Sequence, residues 1–416
     1  MRIIGIKNSN TTTMKKLFTR IYQKLLKHSP TSIGKAIEKC ITWLIYACRR
    51  KSPYLNVYTQ CEGRKYDVAI LVPWLIQGGA DLVAIHFINT LAEKLNKTIL
   101  VLSTENTNSI WKSQLAKQVC FIELGKLWSL YSLGTQTQML SFLIQELKIP
   151  KVHIMNSRLG WEFVNGTGKY QFYASLYADE IDKQGNRWGY AQWYLPKKHP
   201  MLTKTTSDNQ TMLDYWSATM NFSQEKCEVI YTPTNLQTKK YQGQKSTDIL
   251  WASRLTSSKC LDVLLDLAKK MHHFTFHVYG THDPLSKKAI HTLSKQNNVV
   301  VHGAYNGFSS LLDRRRFLCF VYTSKYDGIP NVILEAIANG LTVIAPDIGG
   351  IKEVIHESTG YLIANYQDSD AYAKAIKMIY NDPSNAETKW QAAVTLLEKQ
   401  HGETYFIEAL QKFYAF

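Results

Sequence analysis

Several features common in other protein classes are missing from this 416-residue sequence. No stretch approaches the ~20 apolar residues that span a bilayer; the longest apolar run is Ile41–Cys48, and no small-residue cleavage site follows it in a signal-peptide arrangement. The seven cysteines are scattered, without CxxC or Cys/His ligand spacing. This disfavours a disulfide scaffold or a zinc site, and we expect reduced thiols in a cytosolic protein.

The two common nucleotide-binding fingerprints are also absent. No GxxxxGK[ST] occurs, and no GxGxxG follows the first predicted strand, so ATPase and dinucleotide dehydrogenase functions lose their main support. A DxD sequence does occur at Asp368–Asp370. Because it directly precedes a helical pattern, it predicts a helix cap rather than a metal site.

Negative charge is scarce at the start of the chain. Residues 1–65 hold fourteen Lys and Arg against two Glu, a net +12 of the chain's +16, so the remainder is nearly balanced. Apolar residues recur at helical spacing over residues 14–26, with Lys and Arg between them. This pattern predicts a basic amphipathic helix that lies on an anionic membrane, with the membrane contact extending over residues 14–51, or a helix docked on its own domain. Met14 is an alternative start to Met1.

From residue 66 onward, short apolar runs alternate with helical segments. This alternation predicts α/β architecture with parallel sheets covered on both faces. The polar, aperiodic segment Asn235–Thr247 is the best linker. We therefore expect a basic helical extension (1–65) and two doubly wound Rossmann-like domains (66–236 and 237–402) facing a cleft, followed by a final helix (403–416) that crosses back. Ligands of such folds bind at the carboxyl ends of the strands.

The segment Ser324–Gly340 (SKYDGIPNVILEAIANG) carries the strongest local signal. Pro330 suits a first helical turn, which would leave free backbone N–H groups for an anion. Asp327 precedes this helix start, and Glu335 lies off its apolar stripe. Amides for a phosphate and carboxylates for sugar hydroxyls would suit a nucleotide sugar without a metal.

A possible counter-charge lies after the first strand of the second domain. Arg254 and Lys259 flank that loop in WASRLTSSKCLD, at the sheet edge expected for Asp327. A bidentate Arg and a point-charge Lys would neutralise a leaving diphosphate.

The second domain resembles the retaining nucleotide-sugar glycosyltransferases of family 4, which have the two-domain GT-B fold. The similarity rests on SRLTSSKCLDVLLDLAKK, FHVYG, VVVHGAYN, YDGIPNVILEAIANGLTVIAPDIGGIKEVI and STGYLI, in the family's order over roughly residues 248–380. The family's motif places two Glu with seven residues between them. Here Asp327 replaces the first Glu, and Glu335 matches the second.

The resemblance implies roles for individual residues. Glu335 would bind the nucleotide ribose, Arg254 and Lys259 the diphosphate, and Asp327 the transferred sugar. Other positions matching donor-binding sites of the family are Gly280, Gly303, Gly328, Ile329, Asn331 and Val332. His302 matches a loop near the base, although a core role is an equal alternative.

The first domain resembles the family less closely. Gly78 and Gly79 match its glycine-rich loop after the first strand. ASLYADEIDKQGNRWGYAQWY is similar to a stretch of members that build bacterial surface polysaccharides. Where many members have a sugar-contacting His, this chain offers only Tyr177 or Asp179, and an exposed strand end is an equal interpretation of both.

The resemblance implies a metal-independent, retaining hexosyl transfer (EC 2.4) from a nucleotide sugar to a glycan or lipid-linked acceptor. We expect no cofactor, a role in lipopolysaccharide, O-antigen or capsule synthesis, and a peripheral position on the cytoplasmic face of the inner membrane. Alternatives are a nucleotide-sugar epimerase of the same architecture and a non-catalytic glycan- or lipid-binding relative. Nucleic-acid binding is disfavoured, because the basic charge lies beside an apolar stripe and no binding motif is present.

Overall fold

The computed structural model describes residues 53–182, 184–236, 240–243, 246–312 and 315–416. The predicted basic amphipathic helix and the whole membrane-contacting range 14–51 lie outside the described residues. The chain divides into two units between Glu62 and Gly63, and helix α1 (Pro53–Cys61) is the described part of the first unit. None of the described helices is long and apolar enough to span a bilayer.

The first sheet of the second unit has seven parallel strands in the order β3-β2-β1-β4-β5-β8-β9. Its strands are β1 (Val68–Val72), β2 (Ile99–Ser103), β3 (Cys120–Ile122), β4 (Lys151–Met155), β5 (Gln171–Ser175), β8 (Lys204–Ser207) and β9 (Cys227–Val229). A separate antiparallel hairpin consists of β6 (Glu180–Ile181) and β7 (Arg187–Trp188). All five side chains of β1 are buried, as a strand covered on both faces requires.

The helices of this half are α2 (Gly79–Asn89), α3 (Leu124–Trp128), α4 (Leu133–Glu146), α5 (Arg158–Phe163), α6 (Tyr190–Lys198) and α7 (Gln210–Met220). Helix α2 continues as one π-helical turn over Thr90–Lys94. The alternation of strands and helices that the sequence predicts is therefore present. Strand β8 was missed by the sequence analysis because it consists of Lys, Thr and Ser.

The second sheet has six parallel strands in the order β12-β11-β10-β13-β14-β15. Its strands are β10 (Asp248–Ala252), β11 (Thr275–Tyr279), β12 (Val299–Gly303), β13 (Cys319–Val321), β14 (Val343–Pro346) and β15 (Tyr361–Ile363). Its helices are α8 (Leu261–Lys270), α9 (Lys287–Ser294), α10 (Asn331–Ala338), α11 (Ser369–Asn381) and α12 (Pro383–Gln400). The prediction of two doubly wound Rossmann-like domains is confirmed.

Alternating residues of β10 divide the second domain's core into two layers. Ile249 and Trp251 pack with α8 and α11 on one face, whereas Leu250 and Ala252 pack with α10 and α12 on the other. Between the sheets, the described residues of Asn235–Thr247 form no helix or strand.

Helix α11 begins at the DxD sequence. The Asp368 carboxylate accepts hydrogen bonds from the backbone N–H groups of Asp370 and Ala371 at 3.1 and 3.0 Å. The prediction that this sequence caps a helix is confirmed.

The last helix, α13 (Glu403–Tyr414), belongs to the core of the first sheet. Phe406 and Phe413 are fully buried there with Ile70 of β1. The chain therefore passes between the domains twice, and the two crossings are joined: the Thr234 N–H donates to the His401 carbonyl at 2.9 Å.

Strand order fixes where a ligand site can form. In each sheet the order reverses beside the first strand of the domain, between β1 and β4 and between β10 and β13. Loops that leave such neighbouring strands in opposite directions open a crevice at the carboxyl edge. The loops after β1, β10 and β13 carry Gly78, Lys259 and Asp327 respectively, so three predicted site residues lie at these two positions.

Candidate active site

Lys259 is a buried cation held in the crevice between β10 and β13. Only 9% of the residue is exposed. Its ammonium group donates to the Tyr322 hydroxyl at 2.7 Å and to the Asp327 carboxylate, which also accepts from the Tyr322 hydroxyl. A buried charge requires such partners. Two predicted site residues are thus brought into direct contact.

The backbone around Lys259 is fixed on both sides. Its carbonyl accepts from the Thr323 hydroxyl at 2.7 Å. The next residue, Cys260, has φ 48°, a left-handed conformation uncommon for a side chain of this kind. The loop thereby turns sharply into α8, and the lysine is directed into the crevice rather than along the helix.

The loop after β13 ends in helix α10, whose N-cap is Pro330. Gly328 of this loop is needed for close packing, because a Cβ there would lie 2.8 Å from either carboxylate oxygen of Asp208. The Ile329 N–H donates to Asp208 at 3.1 Å. The Asn331 side-chain amide donates to the Gly79 carbonyl at 3.3 Å, so this loop contacts both β8 and α2 of the first domain.

Glu335 lies beside a pocket of about 380 Å³. Leu82 and His86 of α2 line it from the first domain, and Phe308 and Asn339 line it from the second. Burial raises the pKa of the Glu335 carboxyl to about 7. At neutral pH this group therefore exists both as a carboxylate, which only accepts hydrogen bonds, and as a neutral acid, which can also donate one.

Arg254 is exposed and acts across the cleft. Burial raises the pKa of the Asp81 carboxyl to about 7, although the Ile76 N–H and the Arg254 charge both act to lower it. Asp81 lies in the first turn of α2, two residues after Gly79. The charge of Arg254 therefore acts on a carboxyl group next to the glycine-rich loop of the first domain.

Two further predicted glycines meet at the edge of the second sheet. Gly280 has φ 149°, and a Cβ there would lie 1.7 Å from the Ser253 carbonyl oxygen, so no other residue fits. Its N–H donates to the Gly303 carbonyl at 2.7 Å. These turns support the loop that begins at Ser253 and leads to Arg254.

His302 is exposed, so the alternative of a core role is wrong. Its ring stacks on Tyr279, with centroids 4.2 Å apart, and its Nε2 lies 2.9 Å from His277 Nδ1. Tyr305 packs edge-on to Tyr279 at 6.4 Å. Burial, then the Glu335 charge, raise the pKa of Tyr305 to about 12.

Asp208 is a cleft residue that the sequence analysis missed. It is 5% exposed, and burial raises its pKa to about 7 despite hydrogen bonds from the Ile329 N–H and the Asn209 side chain. The nearby charge of Asp327 raises it further. The signal was Asp208 and Asn209 directly after a strand, but that strand, β8, is polar and was not recognised.

The two candidates for the missing histidine have different surroundings. Asp179 is 1% exposed, and its carboxylate accepts from Trp216 at 2.9 Å and from Gln192 at 2.8 Å. It therefore joins α6 to α7 rather than ending an exposed strand. The Tyr177 carbonyl oxygen would lie 3.0 Å from a Cβ on Gly328, so Tyr177 borders the loop of Asp327.

Glu353 joins the two domains at the first turn of α7. Its carboxylate accepts from the backbone N–H groups of Gln210 and Thr211 at 3.1 and 2.7 Å. It also accepts from the Thr211 and Tyr231 hydroxyls at 2.6 and 2.9 Å. An acid from one domain thus caps a helix of the other, where the helix dipole favours negative charge.

No cluster of three or more His, Cys, Asp or Glu suited to a metal ion occurs among the residues that the structure describes. The cleft instead combines two cations, the first turn of α10 and several acids. Such a set can hold an anion beside a group rich in hydroxyls.

The family model described as glycosyl transferases group 1 matches residues 246–382, which include Arg254, Lys259, Asp327 and Glu335. The chain is 26% identical over 198 residues to the UDP-N-acetylglucosamine–peptide N-acetylglucosaminyltransferase GtfA subunit of Streptococcus agalactiae, covering 43% of this chain and 38% of that protein. It is 26% identical over 145 residues to the O-antigen biosynthesis glycosyltransferase WbnH of Escherichia coli, covering 33% and 38%. The matches span well under half of these relatives' lengths.

Solved structures show the fold. A glycosyltransferase from Rickettsia africae superposes with a TM-score of 0.66 at 18% identity, covering 84% of this chain and 98% of that one. HepE of Anabaena, solved in complex with UDP, gives 0.68 at 15% identity, covering 84% and 99%. The two Rossmann-like domains therefore have the GT-B arrangement.

Proposed function

We propose that this chain is a glycosyltransferase that moves a sugar from a nucleotide sugar to a glycan or lipid-linked acceptor, with retention of configuration. The observation that carries the proposal is the contact of Lys259 with Asp327 at the point where strand order reverses. The match of the same segment to glycosyl transferases group 1 supports it.

The donor's diphosphate would lie between Lys259, Arg254 and the first turn of α10. Charge that develops on the departing diphosphate would be stabilised there by fixed donors, commonly the largest contribution to catalysis. The leaving phosphate would take the acceptor's proton, because the resemblance implies front-side attack. Asp327 would hold the transferred sugar, and closure of the domains would exclude water.

The Glu335 pocket would take the nucleoside. An ionised carboxylate accepts hydrogen bonds from two vicinal ribose hydroxyls. The charge of Glu335 also raises the pKa of Tyr305. The name of the GtfA relative begins with UDP-N-acetylglucosamine, and HepE was solved in complex with UDP. We therefore take UDP sugars as the first donors to test.

Thermal shift with a panel of UDP and GDP sugars tests the donor site, because a ligand that binds only the folded state raises the melting temperature. We expect at least one nucleotide sugar to raise it and the Glu335→Gln variant to lose the shift. No shift with any nucleotide sugar would contradict the proposal.

Incubation with and without acceptor separates transfer from the alternatives. Product that forms only when a glycan or lipid-linked acceptor is added supports transfer. Epimerised nucleotide sugar from donor alone would support the epimerase, and bound but unchanged donor would support a non-catalytic relative.

We propose further that the reaction needs no metal, because the predicted diphosphate ligands are Lys259, Arg254 and backbone amides. Turnover should survive an excess of chelator. Activity that disappears with chelator and returns with Mg²⁺ or Mn²⁺ would overturn this part of the proposal.

The pathway we propose is synthesis of a bacterial surface polysaccharide, since relatives and neighbours include proteins named for O-antigen and lipopolysaccharide synthesis. Residues 14–51 would hold the protein on the anionic inner membrane. In the full chain, replacing Lys15, Lys16, Arg20 and Lys24 by Glu should abolish pelleting with anionic vesicles. Unchanged pelleting would contradict membrane binding through this segment.

A further inference from the structure

An exposed aromatic surface borders the first domain beside the hairpin β6–β7. Of the tryptophans that the structure describes, only Trp188 and Trp193 are classed as exposed, with 41% and 53% of their surfaces accessible. Their rings lie next to each other, with centroids 5.9 Å apart. Exposure of two adjacent indoles to water is unfavourable in free energy, and such a pair is unusual on a surface that has no binding role.

These tryptophans continue a row of rings that leads into the domain. Trp193 packs edge-on to Tyr190 at 5.8 Å, and Tyr190 stacks with Tyr194 at 6.1 Å. Tyr194 in turn stacks on the buried Trp161 at 5.2 Å, with planes 6° apart. We call these five residues the aromatic row. Because its inner end is buried, the outer rings are held by a rigid support.

The hairpin β6–β7 joins the aromatic row to the cleft. Glu180 pairs with Trp188 across the hairpin, and its carboxylate accepts from the Tyr326 hydroxyl at 3.2 Å. Tyr326 directly precedes Asp327. The hairpin therefore bridges from the aromatic row to the loop of the proposed sugar-binding acid.

The inner part of the aromatic row also lies at the carboxyl edge of the first sheet. Burial raises the pKa of Tyr190, the charge of Glu105 adds to this, and the charge of Arg158 opposes it. Glu105 follows β2, and Arg158 follows β4. The charges of two residues that follow strands of this sheet thus act on the ring hydroxyl of Tyr190.

This combination fits an oligosaccharide. The C–H groups on one face of a pyranose ring pack on an aromatic ring, while its hydroxyls bind charged groups at the rim. Rings spaced 5.8–6.1 Å apart at the outer and middle positions offer successive contacts to a chain of sugars. We propose that the aromatic row is a subsite for the acceptor glycan, binding sugars behind the one that is extended; this rests on the proposed transferase function.

Continuity with the cleft favours a glycan over a membrane surface. A membrane-inserting patch would gain from being apolar throughout, but Glu162 accepts from the Tyr194 hydroxyl at 2.9 Å, and Glu105 and Glu180 lie alongside. Carboxylates accept hydrogen bonds from sugar hydroxyls, whereas inserting them into lipid would be unfavourable.

The test uses the full chain on a printed array of oligosaccharides of two to eight sugars, in the presence of UDP. We expect Trp188→Ala and Trp193→Ala each to weaken retention of the longer glycans by about ten-fold. Trp193→Phe, which keeps a ring, should restore most of the binding. Tyr380→Ala, which removes an exposed ring from α11, is the matched control and should bind as the wild type does.

A UDP-induced thermal shift is measured on the same proteins, because it reports the donor site separately. If UDP fails to stabilise even the wild type, the proposed function is at fault. If UDP stabilises every variant but the wild type retains no printed glycan, or the tryptophan variants retain glycans equally well, the subsite is wrong. If the tryptophan variants bind the array as the wild type does but no longer pellet with phosphatidylglycerol vesicles, the aromatic row contacts a membrane and the glycan subsite is wrong.

Discussion

At the scale of single residues, the cleft concentrates carboxyl groups whose protonation depends on burial. Asp81, Asp208 and Glu335 all have pKa values raised to about 7, with burial as the largest cause in each case. Each carboxyl is uncharged well below pH 7 and charged well above it. Nucleotide binding should therefore change across the neutral range, and Glu335 should contribute most because it lines the proposed nucleoside pocket.

We predict that UDP-glucose, as a probe of the nucleoside pocket, binds about five-fold more weakly at pH 6 than at pH 8. Below the raised pKa, Glu335 becomes a neutral acid and loses its capacity to accept two hydroxyl hydrogen bonds. UDP-glucose is a suitable probe because its diphosphate diester has no ionisation near neutral pH. Titration calorimetry across this range measures the effect.

The Glu335→Gln variant is the control for this titration. It should bind weakly at both pH values, and the remaining pH dependence would then report Asp81 and Asp208. A variant that keeps the wild-type pH dependence would show that Glu335 is not the responsible group.

Lys259 gives the sharpest residue-scale prediction for turnover. Replacing it with Ala or Met should lower turnover by about 100-fold, because the cation that stabilises the leaving diphosphate is removed. Steady-state kinetics with the identified donor measures this. Lys269→Ala on α8 is the matched control, since that lysine is exposed and pairs with Asp266 at 3.4 Å. Near-wild-type turnover of the Lys259 variants would contradict the site.

At the scale of elements, Glu353 fixes one domain on the other through the start of α7. We predict that Glu353→Gln lowers the free energy of unfolding by about 1–2 kcal/mol, because a charged acceptor at a helix N-terminus is lost. It should also increase the radius of gyration in solution scattering. Glu357→Gln, an exposed acid four residues later, should change neither quantity. Unchanged scattering of the Glu353 variant would show that closure does not depend on this cap.

Sequence patterns predicted elements well where burial and apolarity coincide, and less well elsewhere. The runs that became β1, β2 and β10 are apolar because helices cover both faces of each sheet. Strand β8 is buried but carries Thr205 and Thr206, and its position between β5 and β9 is set by parallel pairing that no local pattern reveals.

The same limit applied to the site. The position of Lys259 and Asp327 at the sheet edge was predictable because each follows an apolar strand in a motif-rich segment. Asp208 was missed with its strand, and its contact with the Ile329 N–H links residues 121 positions apart in sequence. Contacts of this kind depend on how two domains meet, which a single sequence does not specify.

At the scale of the whole molecule, helix α13, which follows the second domain in sequence, packs into the core of the first domain. Helix α13 buries Phe413 and Tyr414 against that sheet, and the Tyr414 hydroxyl contacts His153 of β4. Burial lowers the pKa of His153 to about 3, so this histidine stays neutral throughout the physiological range. Stability of the first domain therefore depends on residues that follow the second.

We predict that Phe413→Ala lowers the free energy of unfolding by about 3–5 kcal/mol in urea titrations, because a fully buried ring leaves a cavity. Hydrogen exchange should locate the loss in β1 and β4 and leave β10 and β11 protected, since the ring packs in the first sheet's core. Phe416→Ala, which removes a partly exposed ring beside Lys97, should cost far less. Equal loss of protection in both sheets would instead mean that the domains unfold as one unit, with the paired crossings at Thr234 and His401 transmitting the damage.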